Sequence, residues 1–555
     1  MSESSPNFLE NIFQRLESAP GETLLQELRE PQSVSATAAE LGSLIRSARA
    51  FLDAHRLRKG ERCALLAPNS IHWVGMDLAI IAEGLIVVPL YCRQAPGELV
   101  GMMKDCSPSL ICCADQGLAD AIRQNWAEAP PIFIFDEIFR TKCHSASTRI
   151  SLVESDPVAI IYTSGTSGEQ KGVVLNVGNL NHILKCTCER LDMLMQGNAA
   201  QDRVFHYPPF SFAASWITLL TCLRRGSLLM MCTDLNRLAE DMRSSAAHYF
   251  LNVPVLLERM RSAVDEQLRK TGGLVETIYQ HAKDSWYRRD RAESAFFDSV
   301  WLRLARALVF PTIRRKMIGS DLRALICGSA PLARETQLFF MMLGIQVLQV
   351  YGLTETTAIC TMDNPGDVEP GRVGCAIPGV EMKLGENDEI LVRGPNIFQG
   401  YWNRPQATSE ALREDWFHTG DQGNVNAKNN WRISGRIKNL IVLSSGHNVA
   451  PEPIEESLLR LLPDARQVVL LGHGRAFLAA IVTGNASPEE VQFAIDEVNR
   501  ELPHYKRVRA FHLQADPFTV ENGTLTINGK LKRDMIARKL QPQIEELFAT
   551  QRVSA

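Results

Sequence analysis

Residues 160–175 read IIYTSGTSGEQKGVVL, a short apolar run that feeds a loop of small hydroxyl residues and glycines and closes on Lys-Gly. Thr163, Ser164, Gly165, Thr166, Ser167 and Gly168 can bring backbone N–H groups and hydroxyls close around phosphate oxygens, because glycine has no Cβ to hold the chain away. Lys171 adds a positive charge beside them. The plainer alternative is a flexible Ser/Gly/Thr linker, but such a linker rarely follows a buried strand directly and ends in Lys-Gly. The segment is not a GxxxxGK[ST] P-loop. Gln170 precedes the lysine where that motif needs glycine, and Gly172 follows it where the motif needs Ser or Thr. A P-loop NTPase is therefore disfavoured, and the phosphates must be handled by a different fold.

The elements that would position this loop can be read from apolar patterning. ERCALLAP, IVVPLY and SLICCAD read as short buried strands, and IHWVGMDLAIIAEG between them has helical spacing. Strands rich in Val, Ile and Leu that alternate with helices imply an α/β fold, a mostly parallel sheet covered on both faces. Between about residues 254 and 316 the chain turns helical and basic, as in LLERMRSAVDEQLRK and WLRLARALVFPTIRRKM. The favoured reading is an amphipathic cover packed on the sheet; the other is a surface that touches a membrane or a fatty ligand. Past about residue 436 the pattern changes to a small α+β unit. EPIEESLLRLL and SPEEVQFAIDEVNRELP look helical there, and RQVVLLG and AFLAAIVTG look like strands joined by a turn. The expected division is a large domain over 1–436 and a small mobile domain over 437–555.

Composition excludes several classes of function. With 555 residues the chain exceeds one compact core, and 45% hydrophobic with 22% charged residues is ordinary globular usage. Lys and Arg total 59 against 63 Asp and Glu, a balance that gives no support to a nucleic-acid binder. The most apolar stretch, residues 76–92, is broken by Asp77, Glu83 and Pro89, so no membrane span is expected. The amino terminus lacks a basic start leading into an apolar run, so no signal peptide is expected either. The 13 cysteines are odd in number and lack zinc-site spacing, which suits a reduced, cytoplasmic chain.

Five further strings follow in one order: CGSAPL at 327–332, VYGLTETT at 350–357, FHTGD at 417–421, ISGRIKNLIVLSSGHNVAPEPIE at 433–455 and LTINGKLKR at 525–533. Together with the phosphate loop they closely resemble the acyl- and aryl-activating adenylate-forming enzymes, the AMP-binding superfamily. That superfamily includes acyl-CoA synthetases, peptide-synthetase adenylation domains and luciferases. The long GRIKNLIVLSSGHNVAPEPIE string and the basic helical insertion are most similar to long-chain fatty acyl-CoA synthetases. The resemblance implies a large α/β domain, a small mobile α+β domain, and ATP, Mg²⁺, CoA and a fatty acid as ligands. Such an enzyme joins a carboxylate to the α-phosphate of ATP, and a thiol then displaces AMP.

The resemblance also implies roles by position. Tyr351, beside Gly352, would stack on adenine, with Gly328, Ser329 and Ala330 as the opposite wall; a core tyrosine is the alternative. Thr354 would hydrogen-bond the α-phosphate. Glu355, a hard oxygen donor, would hold Mg²⁺ with Thr163. Asp421 would accept from two ribose hydroxyls and Arg436 would reach the ribose or phosphate, unless either is a structural salt bridge. Lys530 would meet the charge that develops on carboxylate and α-phosphate, although Lys532 and Arg533 stand close by. Lys438 would be the hinge, and the loop at Gly446 would line a thiol tunnel after rotation.

One departure concerns the acyl pocket. Many relatives carry a gating His after a Leu-Pro pair, whereas HYPPFSFAASW puts Ser211 there, and His206 lies too early. Two other readings stay open at this point. One is an acyl-AMP ligase that loads a carrier-protein phosphopantetheine. The other is a catalytically silent nucleotide or acyl-ligand binder, although Lys530, Glu355 and Asp421 are all present. Nothing local supports a luciferase-like oxygenation.

Overall fold

The computed structural model describes residues 6–140, 149–164, 170–196, 200–293, 295–319, 321–519, 522–525 and 529–549. The apolar runs expected as strands form at Arg62–Leu66, Ile86–Leu90 and Leu110–Cys113, with the helix Ile71–Ala82 between the first two. They lie at the heart of a seven-stranded sheet. Its order is Gly400–Tyr401, Gln170–Asn176, Pro157–Ser164, Ile86–Leu90, Arg62–Leu66, Leu110–Cys113 and Ile132–Ile134. The sheet is parallel except at the first two pairings, where Pro157–Ser164 turns back on Gln170–Asn176 and Gly400–Tyr401 joins the edge. The phosphate loop therefore leads into an antiparallel strand and not into a helix, which is the structural difference from a P-loop.

A nine-stranded sheet lies beside it. Six of its strands are joined by parallel pairings: Thr23–Leu28, Leu228–Cys232, Arg203–His206, Tyr249–Asn252, Ala324–Cys327 and Gln346–Tyr351. The third sheet is antiparallel, built from segments between Glu381 and Arg436, and was not expected from a mostly parallel reading. Its longest strand, Trp416–Val425, alternates buried with half-exposed residues, so it lacks the continuous apolar run that marks the parallel strands.

The basic stretch forms the helices Pro254–Thr271, Gly273–Asp290, Asp298–Leu308 and Phe310–Ile318. Leu257, Tyr279, Ala282, Leu302, Ala305 and Phe310 bury with Phe205 and Phe250 of the nine-stranded sheet and Phe339 of the helix Arg334–Met342, so these helices are an amphipathic cover. Pro311, in the first turn of the last helix, divides what reads in sequence as one helix into two. Among the described residues no helix is long and apolar enough to cross a membrane.

The apolar core changes identity between residues 433 and 441. Trp431 and Ile433 belong with the large core, whereas Ile441, Leu443, Val449 and Leu458 pack with Val468, Ala480 and Val491. That second core is an α+β unit in which Ala465–Leu471 and Leu478–Gly484 pair antiparallel beneath the helices Glu452–Leu461 and Pro488–Glu501.

The large core contains one ionisable group at a cost. Asp77, in the helix Ile71–Ala82, is wholly buried and receives a single hydrogen bond, from Trp216 Nε1 at 3.1 Å. Its other carboxylate oxygen has no donor among the described residues. Burial pushes its pKa up to about 7, against which the indole bond acts weakly. A folded pKa above the unfolded one gives stability that is full below about pH 4 and is lost as pH rises through about 7. By linkage the loss is on the order of 4 kcal/mol. Asp77→Asn keeps the indole bond and removes the ionisation. Its thermal midpoint is expected to exceed that of the parent clearly at pH 8, with the margin narrowing towards pH 4; equal margins at both pH values would contradict this account.

Candidate active site

Parallel strands leave their carboxyl ends at one edge, and ligands of open α/β sheets bind outside that edge. Tyr351 is the last residue of the strand Gln346–Tyr351, and Gly328 follows the neighbouring strand Ala324–Cys327. The two strands are in register with Cys327 opposite Gln349, so Tyr351 and the stretch Gly328, Ser329, Ala330 leave the sheet side by side. Gly352 must be glycine, since a Cβ there would lie 2.3 Å from the Ala358 carbonyl oxygen. Ser329, Thr357 and Ala358 have left-handed φ values of 72°, 51° and 75°, strain concentrated in the two turns that flank Tyr351.

The next turn, Thr354–Thr356, is held from behind. Asn396, fully buried, donates to the Thr356 and Ile359 carbonyls, and Thr357 Oγ1 donates to the Asn396 carbonyl at 2.7 Å. Glu355 is 9% exposed and accepts a hydrogen bond from the Tyr401 hydroxyl at 2.8 Å. Lys171 lies with its ammonium 4.9 Å from the centre of the Tyr401 ring. Tyr401 thus links Glu355 to Lys171, and the sequence reading missed it. The antiparallel pairing of Gly400 and Tyr401 with Val174 and Val173 brings the GYWNRP segment to the strand behind the loop. Thr163 stands opposite Lys171 on the paired strands, and its hydroxyl points back to the Lys171 carbonyl at 3.5 Å. Gly165, Thr166, Ser167 and Gly168 lie outside the described residues, as does the side chain of Ser164.

The antiparallel third sheet supplies the other pole. Asp421 and Arg436 are direct cross-strand partners, and Arg436 Nε lies 2.7 Å from Asp421 Oδ1. The Tyr351 hydroxyl donates to Asp421 Oδ2 at 2.8 Å. Asp421 is 4% exposed; burial raises its pKa, while Arg436, the Tyr351 hydrogen bond and Lys530 oppose the rise. Burial, and then Asp421, push the Tyr351 phenol well above its ordinary value, so it stays a neutral donor. Glu389, also missed in sequence, fixes the turn before Asp421: it accepts from Gly420 N–H and pairs with His418, each at 2.9 Å. The structural salt bridge weighed for Asp421 or Arg436 is present, and it joins the two to each other. Each Asp421 oxygen retains a second lone-pair direction for a ribose hydroxyl.

Lys530 arrives from the far end of the chain. It remains accessible to solvent, yet surrounding protein and Arg436 lower its ammonium pKa, while Asp421 and Glu355 act in the opposite direction. Lys530 feels both site carboxylates. Arg533 instead makes two 2.6 Å bonds to Glu455 inside the small unit. Lys438 is exposed on the short turn Ile437–Asn439, directly after Arg436, and Gly446 sits exposed on the turn of the hairpin Ile441–Val442 with Asn448–Val449. His206 is not a site residue. It is buried in the core, stacked on Phe210 and bonded to Ser215 at 2.7 Å, and burial lowers its pKa to about 3. Ser211 is buried beside it in sequence.

No cluster of three or more His, Cys, Asp or Glu suited to a metal exists among the described residues. Glu355 offers a buried carboxylate, joined through Tyr401 to Lys171, and the Thr163 hydroxyl lies on the strand opposite Lys171. That donor set fits Mg²⁺, which keeps several waters and takes most of its remaining ligands from phosphate oxygens.

A family model described as AMP-binding enzyme matches residues 13–402, and one described as AMP-binding enzyme C-terminal domain matches 438–552. The chain belongs to the AMP-binding enzyme family. Within it the protein is an AMP-forming acid–thiol ligase. Among curated proteins it is 25% identical to a long-chain-fatty-acid–CoA ligase of Mycobacterium bovis, covering 97% of this chain and 96% of that one. It is 27% identical to a chloroplastic long-chain-fatty-acid–[acyl-carrier-protein] ligase of Arabidopsis thaliana, covering 89% of this chain and 80% of that one. Among solved structures, the fold is similar to Bacillus subtilis O-succinylbenzoate coenzyme A synthetase in complex with ATP and magnesium ion. The TM-score is 0.73 at 20% identity, covering 96% of this chain and 99% of that chain.

Asp421→Asn keeps the acceptor for the Tyr351 hydroxyl and removes the charge that Arg436 meets. AMP affinity measured by calorimetry is expected to fall about tenfold to hundredfold. An unchanged affinity would remove Asp421 from the nucleotide site.

Proposed function

We propose that the protein activates a fatty acid, in the long-chain class, with ATP and Mg²⁺, and then transfers the acyl group to CoA, releasing AMP and diphosphate. The observation that carries this reading is the convergence of Lys530, Arg436, Asp421 and Glu355 from three separated stretches of chain. The full-length likeness to a long-chain-fatty-acid–CoA ligase supports the substrate class.

In this reading Tyr351 and residues 328–330 flank adenine, Asp421 accepts from the ribose hydroxyls, and Thr354 donates to the α-phosphate. The phosphate loop, Thr163 through Gly168 with Lys171, receives the β- and γ-phosphates. Glu355 with Thr163 would hold Mg²⁺, which when bound neutralises phosphate charge. The acid's carboxylate oxygen forms a bond to the α-phosphorus as the bond to the bridging oxygen breaks and diphosphate leaves. Lys530 and Arg436 compensate the anionic charge that gathers there, so the protein acts by positioning and electrostatics. The CoA sulfur then bonds to the acyl carbon and AMP departs. For that second step the small domain, from about residue 437, turns about Lys438, withdraws Lys530 and brings the Gly446 loop to the thiol path.

Diphosphate release with ATP, Mg²⁺ and a panel of fatty acids, with and without CoA, tests the reaction. Multiple turnover only with CoA, giving acyl-CoA and AMP, is expected. Lys530→Ala should slow diphosphate release about 100- to 1000-fold and leave transfer from supplied acyl-adenylate to CoA nearly intact. The likeness to an acyl-carrier-protein ligase favours a second reading, in which the acceptor is a carrier-protein phosphopantetheine. A single burst indifferent to CoA would favour it; no release with any carboxylate would favour the silent binder.

The helical cover also supports peripheral contact with a membrane, from which a fatty acid would be collected. Phe296 and Phe297 are 89% and 66% exposed between two helices, near exposed Arg289, Arg291, Arg303 and Arg306. Replacing both phenylalanines by Glu should reduce co-sedimentation with vesicles containing phosphatidylglycerol severalfold; unchanged co-sedimentation would contradict this surface.

A further inference from the structure

Glu452 stands where three functional segments meet, and none of the roles above uses it. It begins the helix Glu452–Leu461 of the small unit. Its Oε1 accepts from Asn439 Nδ2 at 2.6 Å, the last residue of the turn that carries Lys438. The same oxygen lies 3.9 Å from the guanidinium of Arg533, three residues beyond Lys530. Arg533 is anchored in turn by its two 2.6 Å bonds to Glu455, whose Oε1 also accepts from Leu470 N–H.

The other Glu452 oxygen faces the large domain. A Cβ built on Gly435 would lie 2.8 Å from Oε2, so glycine at 435 is what admits the carboxylate against the strand Trp431–Arg436. Gly435 directly precedes Arg436, the partner of Asp421. Oε2 is buried there and has no donor among the described residues. Burial raises the Glu452 pKa, and Arg533 and Asn439 counter this. One side chain therefore touches the strand of the Asp421 clamp, the Lys438 turn and the anchor of the Lys530 segment.

We propose that Glu452 is a positioning residue that registers the Lys530 segment against the Arg436–Asp421 strand. It does so by packing its carboxylate on Gly435 while holding Asn439 and Arg533. It contacts no substrate, and its effect reaches the reaction only through Lys530. An unpaired buried carboxylate oxygen makes this registration easy to release, because leaving Gly435 restores a water partner to Oε2.

The inference rests on the adenylation reading, and its test separates the two. Acyl-adenylate formation is followed as a diphosphate burst, and transfer from supplied acyl-adenylate to CoA is followed separately, for the parent, Glu452→Ala and Asn439→Ala. A displacement of about 1 Å at a reacting centre costs up to about 100-fold. Glu452→Ala is expected to slow the burst tenfold to 100-fold, with transfer within about twofold of the parent. Asn439→Ala, which leaves the Glu452 side chain in place, should move the same half-reaction in the same direction by less. Equal losses in both half-reactions, or a loss in neither, would overturn the proposal. Hydrogen exchange over residues 434–440 reads the same contact without turnover. It should quicken in Glu452→Ala while the helix Ile71–Ala82 is unchanged, and unchanged exchange at 434–440 would also overturn it. If the parent gives no burst but exchange responds as expected, the reaction assignment fails and the contact stands.

Discussion

A carboxylate taken almost wholly out of water has to be compensated by groups brought to it, and in this chain Asp421 imposes that requirement. Arg436 satisfies it from the paired strand, Tyr351 from the carboxyl end of the parallel sheet, and Lys530 from the small unit. Each belongs to a different layer of the molecule. Unpairing a buried charge costs several kcal/mol, on the order of 3–5, so Arg436 and Tyr351, which bond Asp421 directly, hold the two sheet layers together around it. The geometry of the site is thus set by one electrostatic constraint more than by any single packing interface. Glu389 belongs to the same logic, because its hold on Gly420 N–H fixes the turn on which the carboxylate stands.

Rigid strands and strained turns divide the remaining work. The parallel strands carry Tyr351 and Gly328 to a common edge in fixed register. The residues that would touch a nucleotide sit on turns just beyond that edge, with Ser329, Thr357 and Ala358 held at positive φ. Such backbone persists only when it is over-determined, and the buried Asn396, bonded to both sides of the 354–357 turn, supplies that determination. Tyr401 extends the support to Glu355 and Lys171. Preorganised in this way, charged groups need little rearrangement when phosphate charge develops.

The parallel strands were legible in sequence because strands buried on both faces need short continuous apolar runs, and residues 63–66, Ile86–Leu90 and Leu110–Cys113 have them. The antiparallel sheet from Glu381 to Arg436 lacked that signal, since its strands are half wet. Residues in short ordered strings, such as Glu355, Asp421 and Lys530, could be singled out through the family resemblance that those strings carry. Tyr401, Glu389 and Glu452 could not. Their importance arises from cross-strand pairing or from approach to a glycine, and neither leaves a local pattern. Asp77 was noticed only as a break in an apolar run, and its cost appears once Trp216 is seen to be its sole donor among the described residues.

Contacts inside the small unit differ in kind from contacts between it and the large domain. Inside, Arg533 and Glu455 form a buried bidentate pair that also engages Leu470, which ties the Lys530 segment firmly to its own helix. Across the boundary, Arg460 pairs with Glu335 at 2.8 Å, but both remain substantially open to solvent. A pair of that exposure contributes about 0–1 kcal/mol. The Glu452 carboxylate against Gly435 has an oxygen left without a donor. The small unit is therefore stiff within itself and lightly held to its neighbour. In the proposed two-step reaction, where Lys530 would serve the first step and a thiol would enter at the second, that distribution of strength would let the lysine withdraw. A boundary as tightly paired as the Arg533–Glu455 site would hold it in place.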